Sequence, residues 1–79
     1  MAATYQIDKT VDAKGQTCPM PVVMLAKAIK DLKPGQVLAV YATDPGAKKD
    51  IPAWANKTGN TLLETVEEPG LLTFYIKKA

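Results

Sequence analysis

Val37-Leu38-Ala39-Val40-Tyr41-Ala42 is a continuous apolar run, bounded by Pro34-Gly35 on one side and Asp44-Pro45-Gly46 on the other. It is too short for a typical helix and shows no polar alternation, so it reads as a central strand with structure on both sides of it. The rest of the chain has to supply the strands that flank it and the helices that cover it.

Upstream, Val22, Leu25, Ile29 and Leu32, with Ala26 and Ala28 beside them, follow a helical rhythm that gives one apolar stripe. Lys33, Pro34 and Gly35 end this helix. Before it, Tyr5, Ile7, Lys9 and Val11 alternate with Gln6, Asp8 and Thr10, the period of a strand covered on one face. Asp12 to Thr17 contains Gly15 and polar side chains and reads as a loop.

Downstream, Ile51, Trp54, Ala55 and Thr58 share a helical face, with Gly59 as the stop. Pro52 fits only in the first turn, so the regular part of this helix is expected to start between Lys48 and Asp50. Leu62 to Glu67 and Leu71 to Ile76 read as two strands joined through Glu68-Pro69-Gly70, with Leu72, Phe74 and Ile76 on one face. The expected fold is an α+β two-layer sandwich of βαβαββ order, a four-stranded mixed sheet with two helices on one face. Its core should gather Val22, Leu25, Ile29, Val40, Ile51, Trp54, Phe74 and Ile76.

Seventy-nine residues suit one domain over 1–79. The formal charge of +2 is too small to point to a nucleic acid or a membrane, and no clustered basic stripe or stacking aromatic surface is present. Met1 to Gln6 lacks the apolar core of a signal peptide, and no run reaches the length of a membrane span. A cytoplasmic protein is expected. With one cysteine and no histidine, the chain lacks an intrachain disulfide and the usual ligands of a self-contained zinc or haem site. No metal and no cofactor is expected.

The one cysteine, Cys18, stands in Cys18-Pro19-Met20-Pro21. Pro19 suits a first helical position, which places Cys18 at the helix cap, where unpaired N–H groups and the positive end of the helix dipole favour a thiolate. Pro21 stiffens the same turn. Helical projection puts Met20, Met24 and Lys27 opposite Val22, Leu25 and Ile29, as a surface of soft apolar side chains and a cation around the thiol's exit. The competing reading makes Cys18 a small buried hydrophobe. Its place at the end of an element, outside the apolar stripe, argues for a functional thiol. For Met20 and Met24 the competing reading is gap-filling, for Lys27 a solvated helix face, and for Asp12 and Asp44 ordinary turn hydrogen bonds. Trp54 is read as core, and Lys48, Lys49, Lys77 and Lys78 as solvated.

These residues resemble the TusA, or SirA-like, family of sulfur-carrier proteins, whose mark is a Cys-Pro-x-Pro motif after the first strand. The likeness continues in Asp12-Ala13-Lys14-Gly15, Thr43-Asp44-Pro45-Gly46, Asp50-Ile51-Pro52-Ala53-Trp54 and Gly59, and so spans nearly the whole chain. The resemblance implies that Cys18 receives sulfane sulfur as a persulfide, with Pro19, Pro21 and Gly15 positioning it, and passes the sulfur to another protein. It implies a donor such as a cysteine desulfurase or a rhodanese. It also implies a DsrE-like or other acceptor serving tRNA thiolation, molybdenum-cofactor assembly or sulfur oxidation. Gln16 and Met20 depart from residues common in parts of the family, which leaves the choice of partner open. Without a histidine as general base, the chain suits a sulfurtransferase-type carrier working with partner enzymes better than a stand-alone catalyst. Two alternatives stand beside it. One is a thiol redox protein, which would normally use a second cysteine. The other is a non-catalytic RNA- or protein-binding regulatory module; direct nucleic-acid binding is not expected.

Overall fold

A computed structural model describes residues 6–17 and 19–79. The element order is β1 (Lys9–Ala13), α1 (Met20–Ile29), β2 (Val37–Ala42), α2 (Ala47–Thr58), β3 (Thr61–Glu68) and β4 (Leu71–Lys77). The strands form one sheet in the order β1-β2-β4-β3. β1 runs parallel to β2, whereas β2 with β4 and β3 with β4 are antiparallel. The α+β sandwich with a mixed sheet and the βαβαββ order is therefore the observed fold.

β2 owes its central place to its composition. Leu38, Val40 and Ala42 face the helices and are buried in the main core, while Val37 and Ala39 are buried on the other side. The register sets Val11, Val40 and Phe74 in one row across three strands. Leu25 and Ile29 from α1 and Ile51 from α2 close on that row. Pro69-Gly70, with Gly70 at φ +75°, supplies the tight turn between β3 and β4.

Four expectations about the elements are corrected. β1 begins at Lys9 and runs through Asp12 and Ala13, where a loop was expected. Val11 and Ala13 are its buried residues, so the covered face continues past the point where Gly15 suggested a loop. Ile7 is exposed ahead of the strand, and Tyr5 lies outside the described residues. α2 begins at Ala47, which leaves Pro52 inside the helix beyond its first turn. The start is wound tightly: Ala47, Lys48 and Lys49 donate to the carbonyls of Asp44, Pro45 and Gly46. Pro52 then costs one internal hydrogen bond, at the exposed Lys48 carbonyl.

The buried stripe of α1 is rotated from the expected one. Pro21, Leu25, Ala28, Ile29 and the following Leu32 are buried, whereas Val22 is only partly so. In α2, Trp54 is half-buried against the edge of the core, and Thr58 is exposed, with its hydroxyl donating back to the Trp54 carbonyl at 2.8 Å. A hydroxyl that can satisfy itself within its own helix has no need of the core.

Candidate functional site

Because β1 and β2 are parallel and each leads into a helix, both helices start at the same end of the sheet. The β1–α1 loop, the β2–α2 loop and the β3–β4 turn meet there. Asp12 Oδ1 accepts the N–H of Lys14 at 3.0 Å, the turn bond expected of it. Gln16 then donates to the Ala13 carbonyl at 3.1 Å, closing a tight turn in which Gly15 adopts φ +80°. A side chain at Gly15 would be strained by that angle, although the space around it is open.

One bond ties the two loops together. The Gly15 N–H donates to Thr43 Oγ1 at 2.9 Å, across 28 residues of sequence. Thr43 opens the β2–α2 loop, so the motif loop is anchored to the central strand. Sequence alone assigns Thr43 no role; the placement of a hydroxyl directly after the apolar run was the available signal.

Past Thr17, the Met20 N–H donates to the Thr17 carbonyl at 2.8 Å, so a hydrogen bond closes the backbone on either side of Cys18. Cys18 itself, and with it the expectation that it caps the helix, lies outside the described residues. The cap is Pro19, at φ −99° and ψ 15°, and Pro21 stands at the second helical position. This moves the two prolines one step from the expected register. Pro19 is exposed, while the Pro21 ring is fully buried. Pro21 therefore anchors the first turn to the core as well as stiffening it.

The first turn of α1 contains no acidic residue and no side-chain cap. Its dipole is consequently uncompensated from within the helix, which favours an anion just ahead of it. Outside, Met20 and Val23 are exposed, 40% and 38% respectively, and Lys27 follows them on the same face. Met24 is not on that opposite face; it is half-buried and packs against the core on the β1 side. Val23, which the helical projection missed, takes its place. A projection centred on Pro21 would have found it, since residues 20, 23 and 27 then fall together.

Beside this loop pair lies a shallow depression of about 210 Å³, lined by Thr43, Pro45, Lys48, Glu67 and Leu71 among others. Lys48 and Glu67 form an exposed ion pair at 3.0 Å across it. Among the described residues no cluster of His, Cys, Asp and Glu could hold a metal ion. No helix of the described chain is long and apolar enough to cross a membrane.

Comparison with known proteins places this geometry. Residues 9–78 match the family model described as Sulfurtransferase TusA. The chain is 47% identical over 72 residues to the sulfur carrier protein TusA of Allochromatium vinosum, covering 91% of this chain and 95% of that one. It is 43% identical over 75 residues to the sulfur carrier protein TusA of Pseudomonas aeruginosa, covering 95% of each. Its fold matches the crystal structure of a SirA-like protein from Desulfitobacterium hafniense with a TM-score of 0.77 and 28% identity, over 87% of this chain and 95% of that one. The chain belongs to the TusA sulfurtransferase family.

Proposed function

We propose that the protein is a sulfur carrier that takes up sulfane sulfur as a persulfide on Cys18 and hands it to an acceptor protein. The observation that carries this reading is family membership over nearly the whole chain, combined with a single cysteine that falls in the Cys-Pro-x-Pro motif.

The Cys18 thiolate attacks the terminal sulfur of a donor persulfide. A new S–S bond forms, the donor's S–S bond breaks, and the donor leaves as a thiolate. Unloading reverses the roles: an acceptor thiolate takes the terminal sulfur, and Cys18 leaves as the thiolate. Neither step needs an external oxidant or reductant. A helix start without acidic residues supports the anionic forms of both thiol and persulfide. The anchored loop, through Gly15 and Thr43, supports a fixed approach. Met20, Val23 and Lys27 offer a surface against which donor and acceptor proteins dock, Met24 contributing its exposed part.

A cysteine desulfurase or rhodanese as donor, and a DsrE-like acceptor, fit this chemistry. The reading is tested by charging the protein with isotopically labelled sulfur and mixing it with an acceptor carrying a free cysteine. Label should appear on the protein and then leave it for the acceptor. Label that never leaves would make Cys18 a sulfur trap and contradict the carrier role.

A further inference from the structure

β1 forms one edge of the sheet, and no other strand of the described residues pairs with its outer side. On the other side of β2, Lys78 donates its N–H to the Gln36 carbonyl at 2.8 Å, which turns Leu38, Val40 and Ala42 toward β4 and leaves Val37, Ala39 and Tyr41 turned toward β1. With Thr10 opposite Ala39 in a parallel pair, Lys9, Val11 and Ala13 turn their backbone groups toward β2, and Thr10 and Asp12 turn theirs out of the sheet. Such outward groups are a template for another strand. The opposite edge, β3, is blunted by an irregularity between Leu62 and Glu64 and by three glutamates. β1 pairs in unbroken register and carries neither a bulge nor a proline.

The free edge is roofed by α1. Residues 9–12 on one side, and Met24, Lys27, Ala28 and Asp31 on the other, line a shallow groove of about 420 Å³. Its charges are unevenly used. Lys9 pairs with Asp31 at 3.1 Å at one end, and Asp12 is engaged by Lys14 at the other. Lys27 makes no ion pair or hydrogen bond among the described residues. Between the ends, the half-buried Met24 and the buried Ala28 leave an apolar floor.

We infer that this groove docks an extended, acidic segment of a partner protein, which adds a strand to β1, sets an apolar side chain on Met24 and Ala28, and brings a carboxylate to Lys27. The free backbone groups ask for an extended chain, and the unpaired cation selects an acidic one. The groove is continuous with the motif: β1 leads into the loop that ends at Cys18, and Met24 lies one helical turn below Met20. In choosing a partner protein that brings or removes sulfur, the inference rests on the carrier reading; the groove itself does not.

The test is an NMR titration of isotope-labelled protein with an end-blocked synthetic peptide of alternating valine and glutamate. The amides of Thr10 and Asp12 should shift and become protected from exchange, with a Kd on the order of 100 μM. Lys27→Glu should weaken binding about tenfold and should favour a peptide carrying lysine in place of glutamate. Thr10→Pro, which removes an outward N–H, should abolish binding that Thr10→Ala retains. No perturbation at about 1 mM peptide would overturn the inference. So would shifts confined to another face, equal binding by Lys27→Glu, or protection of Thr10 and Asp12 by self-association without peptide. Charging of wild-type Cys18 by glutathione persulfide is measured separately. Its failure would sink the carrier reading, whereas the titration decides the groove whichever way the charging goes.

Discussion

The two helix starts stand side by side at one end of the sheet, yet they are built differently. α2 opens on Gly46, carries Asp50 in its first turn and pairs Lys48 with Glu67, so its positive end is answered by the protein's own carboxylates. α1 opens on Pro19, buries Pro21, carries no acid in its first turn and shows Met20 and Val23 to solvent. One start is finished within the fold. The other is left electrostatically open beside the only cysteine of the chain. The difference teaches that the fold supplies two equivalent helix starts and that only one of them carries an acidic residue in its first turn.

The largest fully buried side chain of each helix is Leu25 in α1 and Ile51 in α2. Leu25→Ala and Ile51→Ala should each lower stability by about 2–5 kcal/mol, measured by urea unfolding. Under conditions where both variants remain folded, Leu25→Ala should also slow sulfur loading, because it loosens the helix that presents the motif; Ile51→Ala should not. Equal loading defects in both would erase the distinction between the two starts.

Thr43→Val removes the acceptor of the Gly15 N–H while keeping the side chain's shape. A stability loss of about 0.5–1.5 kcal/mol is expected, together with slower loading at unchanged Cys18 content. A variant with wild-type loading kinetics would show that the bond between the loops is not needed to present the motif.

Placing a carboxylate at the exposed Val23 imitates the arrangement of α2. Val23→Glu should disfavour the thiolate by about 0.3–1 kcal/mol and slow loading at neutral pH about twofold to fivefold, with recovery at higher pH or high salt. Asp50→Asn, the converse change in α2, should cost a few tenths of a kcal/mol of stability and leave loading unchanged.

The smallest effect lies on the sheet face away from the helices. Burial, followed by the neighbouring Tyr41, Glu64 and Glu68, raises the Tyr75 phenol above its ordinary range. The folded state therefore holds that proton more tightly than the unfolded chain. The associated stability is complete below the ordinary tyrosine range, about pH 10, and is lost as the pH rises through the higher folded value. Tyr75→Phe should flatten the alkaline limb of the stability profile slightly and leave loading untouched.

The sequence carried the fold wherever hydrophobic period and turn chemistry agreed. The run from Val37 to Ala42 became the central strand, and Leu72, Phe74 and Ile76 formed the buried face of β4. It misled where one rule was applied without its neighbours. Gly15 suggested a loop from Asp12 onward, but Val11 and Ala13 share a buried face and hold the strand to Ala13. Pro52 was expected in a first turn, but a tightly wound start let the helix begin earlier. At the site, the motif and the exposure of Met20 were legible because they depend on local spacing. The bond from Gly15 to Thr43 was not, because it joins loops 28 residues apart and appears only once β1 and β2 pair. The burial of Pro21 was hidden by its role as a helix starter, a local property that gives no sign of which way the ring faces.

Intact-protein mass spectrometry after incubation with a persulfide donor tests the central claim most directly, run on wild type and Cys18→Ser with and without reductant. The account predicts the gain of one sulfur atom in wild type, removed by reductant and absent from Cys18→Ser. No gain in wild type with any donor, or the same gain in Cys18→Ser, would contradict it.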